Sequence, residues 1–412
     1  MMTIGITAED LAHISRSSED IRAELGVDPV SVRAISDPAI YELEREKIFR
    51  KTWLKVATSW ELPNVGDYKV KELPVADASV LIVRGKDGQI RAFHNVCTHR
   101  GNKVVPTTGF ETFGRSRANV VTCRFHGWVF STDGPLRSVP MKEKFGKLDT
   151  ACLGLREIHC DIWEGFVFIN FDAEPAQSLT EYLGDFGKLF GGYPYAESTT
   201  AFRYSTVLNC NWKVAHYAFS EGYHVPTIHA GSLPGFKGVD HTDFKLMGPH
   251  ASSTIYGAGM DTAPSTLAFA SMLSTTERHR PRPDQLPPAI NPERRADFQF
   301  ELPNLFPNFI IHLASGCGYP GMSFFTHQFW PLDHGRTLWE GINYFRPAQT
   351  AAEQVAQQHV NALHRNAWLE DTATMEDTFT GIMSGSIDEM QLMDQEFLIR
   401  HAARTLDTFL AA

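Results

Sequence analysis

The chain has 412 residues, a formal net charge of −10, 43% hydrophobic residues and 21% charged residues. That length exceeds one ordinary domain and suits two, with enough apolar material for a sizeable core. The acidic balance argues against nucleic acid or an anionic membrane as the main partner, since both need a basic face.

No apolar run approaches the roughly 20 residues of a membrane span. The N-terminal stretch MMTIGITAEDLAHISRSSED has no basic start followed by an apolar run, so no secretory signal is read there and a cytoplasmic protein is expected. Residues 38–54, PAIYELEREKIFRKTWL, place Ile40, Leu43, Ile48 and Phe49 near helical spacing and predict an amphipathic helix. From about residue 55 short β-rich runs take over, such as Val80–Val83 and Ile90–Phe93, split by the turn Lys86-Asp87-Gly88. The texture lasts to Gly165–Asn170 and predicts a small all-β domain over 55–172, after an N-terminal segment 1–54 and before a larger domain 173–412. In the last of these, 210–223 reads as helix, and the five prolines of 280–292 demand an irregular loop, read either as a pocket lid or as an uninvolved surface loop. Residues 296–346 carry strand-like runs, including Phe309–Leu313, and 350–381 and 386–411 read as two C-terminal helices. The fold class expected is α+β.

The six cysteines, Cys97, Cys123, Cys152, Cys160, Cys210 and Cys317, are too scattered for a disulfide framework. Two of them sit beside histidines. Cys97-x-His99 is followed, after 23 residues, by Cys123-x-x-His126. Such a set suits tetrahedral zinc or a two-iron, two-sulfur cluster with mixed ligands. Against zinc stand the tight Cys-x-His spacing, the glycines Gly101 and Gly127 that open the backbone beside each pair, and the flanking β runs. A second cluster is Glu221-x-x-His224-x4-His229. Helical spacing puts Glu221 and His224 on one face, and Pro226 is expected to end that helix and let His229 swing back. Two histidines so placed supply two legs of a facial triad whose third leg is a carboxylate. The competing reading is a pair of ordinary surface or core histidines.

The phrases CTHRGN, CRFHGWVFSTDG and NCNWKVAHYAFSEGYHVPTIHA resemble the catalytic (alpha) subunits of Rieske non-haem iron oxygenases of the aromatic ring-hydroxylating family. So do EREKIFRKTW, GDYKV, DIWEGFVFINF and FPNFII, so the resemblance spans nearly the whole chain apart from about 1–35 and 270–295. It implies an N-terminal all-β Rieske domain and a C-terminal catalytic domain with an antiparallel sheet packed by helices, of the helix-grip type. It implies that Cys97 and Cys123 hold one iron of a 2Fe-2S cluster and His99 and His126 the other. It also implies that His224, His229 and a distant acid hold a mononuclear iron(II). The segment AWLEDTATMEDTFTGIMSGS resembles the family's late acidic helix and matches Asp371 to that acid, with Glu370 and Asp377 as fallbacks. Glu221 matches an acid that bridges the two sites, accepting from His224 and from the partner subunit's His126 around a threefold ring. The 23-residue gap is long for the family, so a surface insertion is expected near 109–119.

Tyr217 stands where many relatives carry an asparagine near the iron; it is read either as lining the pocket beside bound oxygen or as a packed aromatic. His216 is read as structural. His312 and His327 fall on expected strands and are read either as satisfied sheet histidines or as contacts to a polar substrate group. The run Phe298, Phe300, Phe306, Phe309, Phe324, Phe325 and Phe329 suits a flat apolar substrate or, equally, a core. The resemblance implies an O₂-dependent hydroxylase of aromatic compounds, with ring dioxygenation ahead of monooxygenation or O- or N-demethylation. A third reading, an electron-transfer Rieske protein with a dead binding domain, predicts a single iron class. No nucleotide-binding fingerprint stands out, so electrons are expected from NAD(P)H through a partner flavin reductase, a ferredoxin, or both. A homotrimer or an alpha3beta3 assembly is implied.

Overall fold

The computed structural model describes residues 14–232, 241–257, 287, 290–291, 294–295, 297–313 and 324–411. Cys317 and almost all of the proline-rich 280–292 lie outside the described residues. By internal contacts the chain divides into two units, 45–182 and a second one made of 1–44 with 183–412. The fold is α+β, as expected. Among the described residues no helix is long and apolar enough to cross a membrane.

The unit 45–182 is built on a seven-stranded antiparallel sheet in the order Leu54–Thr58, Phe166–Asn170, Glu157–Trp163, Ile90–His94, Ala78–Arg84, Asp67–Leu73, Glu111–Arg115. Val80, Leu81, Ile82 and Val83 are all buried, which explains why that strand reads as an unbroken apolar run instead of an alternating one. Its hairpin closes at the expected turn. Gly85 N donates to Gln89 O at 2.7 Å, the Asp87 carboxylate accepts from Gln89 N at 3.1 Å, and Gly88 takes φ +82. A three-stranded sheet, Leu136–Ser138, Val129–Ser131, Val120–Thr122, carries the second Cys/His loop.

The insertion expected near 109–119 is more than a surface loop. Glu111–Arg115 is the edge strand of the large sheet, paired with Asp67–Lys71. Glu111 takes both Lys69 at 2.9 Å and Lys71 at 2.6 Å, two lysines that are 2% and 1% exposed. Burial alone would raise the Glu111 carboxyl, but Lys71 and Lys69 outweigh it and hold it well below its ordinary value.

The second unit carries an eight-stranded antiparallel sheet in the order Ser15–Arg16, His241–Met247, His250–Tyr256, Phe298–Leu305, Phe309–Leu313, Phe324–Asp333, Arg336–Phe345, Thr200–Leu208. The helix Ala351–Met383, 33 residues and roughly 50 Å long, runs with it. Its buried positions Ala356, Val360, Ala367, Asp371, Met375 and Ile382 recur at helical spacing, so Asp371 sits inside the apolar stripe. Trp212 and Lys213 anchor the helix Trp212–Ala218 by donating to the two carboxylate oxygens of Glu44, at 2.8 and 2.6 Å. The Lys213–Glu44 side chains are fully buried.

Three helix boundaries differ from expectation. The helix 38–54 is an α-helix only over Pro38–Glu44 and continues as a π-turn, Arg45–Phe49, before the first sheet strand. The helix 210–223 stops at Ala218. The last helix spans Phe397–Ala411, because Gly385 at φ +69 follows the long helix and Glu389–Met390 pairs with Val30–Ser31.

Replacing Glu111 with alanine removes the carboxylate shared by two buried ammonium groups, and leaves Lys69 the longer contact to Glu61 at 3.4 Å. We expect a loss of about 3–5 kcal/mol in denaturant unfolding of the 45–182 unit. Because the folded carboxyl is depressed, its contribution is fully present above the unfolded value near 4.5 and is lost as pH falls below it. The wild-type and Glu111→Ala unfolding midpoints should therefore converge in acid.

Candidate metal centres

Both Cys/His loops use the same backbone turn. Cys97 O accepts from Gly101 N at 2.9 Å, and Cys123 O accepts from Gly127 N at 3.0 Å. Cys97 N donates to Asn102 O at 2.8 Å, and Cys123 N donates to Trp128 O at 2.9 Å. Each turn needs a left-handed residue, and Gly101 and Gly127 supply it at φ +77 and +70. The turns point both thiols inward; Cys97 and Cys123 are each 1% exposed and in hydrogen-bond contact with each other. Burial pushes the Cys97 thiol up. Burial also opposes ionisation at Cys123, but the N–H groups of Phe125 and His126 and the Asn102 amide, 3.7 Å from its sulfur, bring it below its ordinary value.

The same two loops carry the two imidazoles. The His99 and His126 ring centroids are 4.6 Å apart, and His99 stacks on Trp128 at 4.7 Å and 11°. His99 Nδ1 is buried with no partner among the described residues. An orphaned ring nitrogen beside two buried thiols fits a 2Fe-2S cluster with two sulfur and two nitrogen ligands.

In the other unit the sequence forms a turn where a longer helix was expected. Ser220 Oγ donates back to His216 O at 2.7 Å, which competes with helix propagation, and Gly222 follows. Pro226 does not end the helix that holds His216. It lies in the first turn of a separate one-turn helix, Val225–Ile228, where a missing N–H costs nothing. His224 and His229 cap the two ends of that turn, which is how residues five apart come to face each other, with centroids 5.3 Å apart.

Each histidine is held by a carboxylate on Nδ1. Glu221 Oε1 binds His224 Nδ1, while its other oxygen accepts the backbone N–H groups of Tyr223 and His224. Glu370 Oε2 binds His229 Nδ1 at 2.9 Å and accepts from Ser232 Oγ at 2.5 Å. Both Nε2 atoms then converge on Asp371 Oδ1, at 3.4 Å from His224 and 3.1 Å from His229. Neither approach is aligned as a hydrogen bond, so this buried oxygen has no donor among the described residues. One ligand atom from each of His224, His229 and Asp371 lies within 4.8 Å of the others. Two imidazoles and one carboxylate that approach without bonding fit a metal ion with open positions.

The remaining candidates fall elsewhere. Asp377 is exposed, and Glu376 accepts from the backbone and side-chain amides of Asn209 at 2.8 and 3.1 Å. Tyr217 is buried and lines a cavity with Trp212, Pro249 and Leu398 that none of the three convergent residues lines. His216 is buried next to Ser220, and burial takes it down to about 3. The role of Glu370 escaped sequence reasoning. The one available signal was its place beside Asp371 on the long helix, which equally suits a solvated acid.

Glu370→Ala should leave His229 free to rotate and lower the affinity of the three-residue centre for added iron(II) or cobalt(II) by about 10–100-fold. Metal titration of the demetallated protein measures this, with the cluster's visible absorption unchanged.

Residues 52–155 match the profile of the Rieske [2Fe-2S] domain, and residues 195–412 match that of the ring hydroxylating alpha subunit catalytic domain. Among curated relatives, the alpha subunit of 2-aminobenzenesulfonate 2,3-dioxygenase from Alcaligenes sp is 37% identical over 44% of this chain and 45% of its own length. The carnitine monooxygenase oxygenase subunit of Escherichia coli (strain K12) is 34% identical over 49% of this chain and 52% of its own. The matches thus span about half the length of these relatives. The quaternary ammonium Rieske monooxygenase CntA shares the fold, with a TM-score of 0.75 at 21% identity, covering 96% of this chain and 99% of that one. So does naphthalene 1,2-dioxygenase from Rhodococcus sp., with a TM-score of 0.70 at 20% identity over 98% and 99%. The catalytic-domain match covers more than half of the sequence, and the chain therefore belongs to the ring-hydroxylating alpha-subunit family of Rieske non-haem iron oxygenases.

Proposed function

We propose that this chain is a terminal oxygenase that uses O₂ and externally supplied electrons to hydroxylate an aromatic compound, most simply by ring dioxygenation. The observation that carries this reading is the convergence of His224 Nε2, His229 Nε2 and Asp371 Oδ1 without a hydrogen bond between them. In this reading Cys97, His99, Cys123 and His126 hold the 2Fe-2S cluster, and His224, His229 and Asp371 hold the mononuclear iron. When bound, the cluster supplies single electrons and the mononuclear iron activates O₂.

The chain's own residues do the rest. Glu221 and Glu370 accept from the Nδ1–H groups, fix the tautomers and present unprotonated Nε2 atoms as ligands. A carboxylate can accept from several donors at once, so Glu221 retains capacity for the partner subunit's His126. The structure of a quaternary ammonium Rieske monooxygenase with the same fold is described as revealing inter-subunit electron transfer, which supports a trimeric ring as the working form here. Electrons come from NAD(P)H through a flavin reductase, a ferredoxin, or both. Monooxygenation is the second reading, favoured by the carnitine monooxygenase relatives and the CntA fold.

Iron and sulfide analysis with electron spin resonance on anaerobically reduced protein should show two iron classes. Zinc in their place, or a single class, would overturn the assignment. Asp371→Ala should lose the mononuclear iron and keep the cluster's visible absorption. Glu221→Gln should retain both centres while single-turnover product formation falls about 10–100-fold; an unchanged rate would remove its bridging role. A cis-diol product supports dioxygenation, and released formaldehyde supports demethylation.

A further inference from the structure

The loops that carry Cys97 and Cys123 repeat one backbone turn, and the fifth residue after each cysteine holds the same place in it. Asn102 O accepts from Cys97 N, and Trp128 O accepts from Cys123 N, at 2.8 and 2.9 Å. Each turn also brings backbone N–H groups to its own thiol, those of His99 and Arg100 to Cys97 and those of Phe125 and His126 to Cys123. The backbone thus treats the two sulfurs alike.

The side chains at the matched positions do not. Each reaches across to the other loop. The Trp128 indole stacks on the His99 ring at 4.7 Å and 11°. The Asn102 amide goes to the sulfur instead, with Nδ2 3.7 Å from Cys123 Sγ. A second bond fixes which end of that amide faces the cysteine. Nδ2 donates to Lys103 O at 2.8 Å, a carbonyl that only the nitrogen end can meet. An amide nitrogen carries two hydrogens, so one serves Lys103 O and the other is left for the sulfur. Cys123 therefore has a side-chain N–H in addition to those of its own turn. Asn102 is exposed, and its backbone is held independently of its side chain by the bond from Cys97 N, by Gly101 before it and by the bridge between Val96 and Lys103. The amide can be changed while the turn stays.

A thiolate ligand becomes more negative when its cluster is reduced. A donor aimed at that sulfur stabilises the reduced form more than the oxidised form. We infer that Asn102 is a positioning residue for the cluster: its amide bonds the Cys123 sulfur across the two loops and raises the reduction potential of the site. This rests on the 2Fe-2S reading of the loops. The step it favours is a one-electron reduction, in which the external carrier gives up one electron to the loaded site and no covalent bond of Asn102 is made or broken. The two turns set the ligands, and this one side chain sets how readily an electron is held there before it passes on.

The test is a mediated reductive titration of the cluster-loaded full chain, followed by visible absorption at fixed pH. Asn102→Leu keeps the branching of the side chain and removes the N–H. At the wild-type midpoint its oxidised-to-reduced ratio should rise about 3–10-fold, a midpoint lower by about 30–60 mV at 59 mV per tenfold. Asn102→Ala should move the same way, and it decides the matter if the leucine variant loads poorly. Asn102→Asp has nearly the native shape but offers no N–H and adds a negative charge, so it should lower the midpoint at least as far. Asn102→Gln, which keeps an amide, should recover part of the loss. Iron and sulfide content and the electron spin resonance of the reduced protein check that each variant carries an intact cluster. Ratios within about 1.5-fold of wild type in both Asn102→Leu and Asn102→Ala overturn the inference, even if Asn102→Asp shifts, because charge alone would then be acting. A raised midpoint in Asn102→Leu or Asn102→Ala overturns it too. So does a native midpoint in Asn102→Asp beside lowered ones in the others, which would make the role one of shape. Wild-type protein that holds no iron and sulfide overturns the cluster reading itself, a separate result.

Discussion

The catalytic unit is organised around one electrostatic constraint. Two imidazoles and a carboxylate must stand within a few ångströms of each other, mostly buried, without hydrogen-bonding to one another. Left alone, such groups would rotate and satisfy one another. The protein prevents this from behind: Glu221 fastens His224 and Glu370 fastens His229, each by the nitrogen that faces away from Asp371. Ser232 in turn fastens Glu370, and two backbone amides fasten Glu221. Every freedom that could quench the site is used up one bond further out.

That arrangement is only as firm as the elements beneath it. Asp371 and Glu370 come from a helix of 33 residues whose apolar stripe faces inward, and the histidines come from a turn behind a short helix. The short helix is pinned by the fully buried Lys213–Glu44 pair and the Trp212 indole. A buried ion pair adds little net stability, yet breaking it is costly, so it acts to specify one position for the helix. The 45–182 unit solves the parallel problem of holding reactive groups in its interior. Two copies of one backbone turn aim two thiols inward, and N–H groups stabilise the thiolate form of Cys123. Its edge strand brings Glu111 to two buried lysines, Lys69 and Lys71.

Local chemistry made much of this legible from the chain itself. The spacings around Cys97 and Cys123 and around His224 and His229 are fixed by short turns, so they can be read in sequence, as can the Lys86-Asp87-Gly88 hairpin and the mixed α and β texture. Asp371 was reachable only through resemblance, since 142 positions separate it from His229 and no local rule spans that distance. Only the tertiary structure decided that Glu370 holds His229, that Tyr217 lines a cavity with Trp212 and Leu398, and that 111–115 completes a sheet. It also decided that Trp339 donates to His327 Nδ1 while His327 Nε2 has no partner among the described residues. The reason is common to all four. Which neighbour a side chain meets across a sheet or between helices depends on register and packing, and those are properties of the whole chain that no short stretch of it contains.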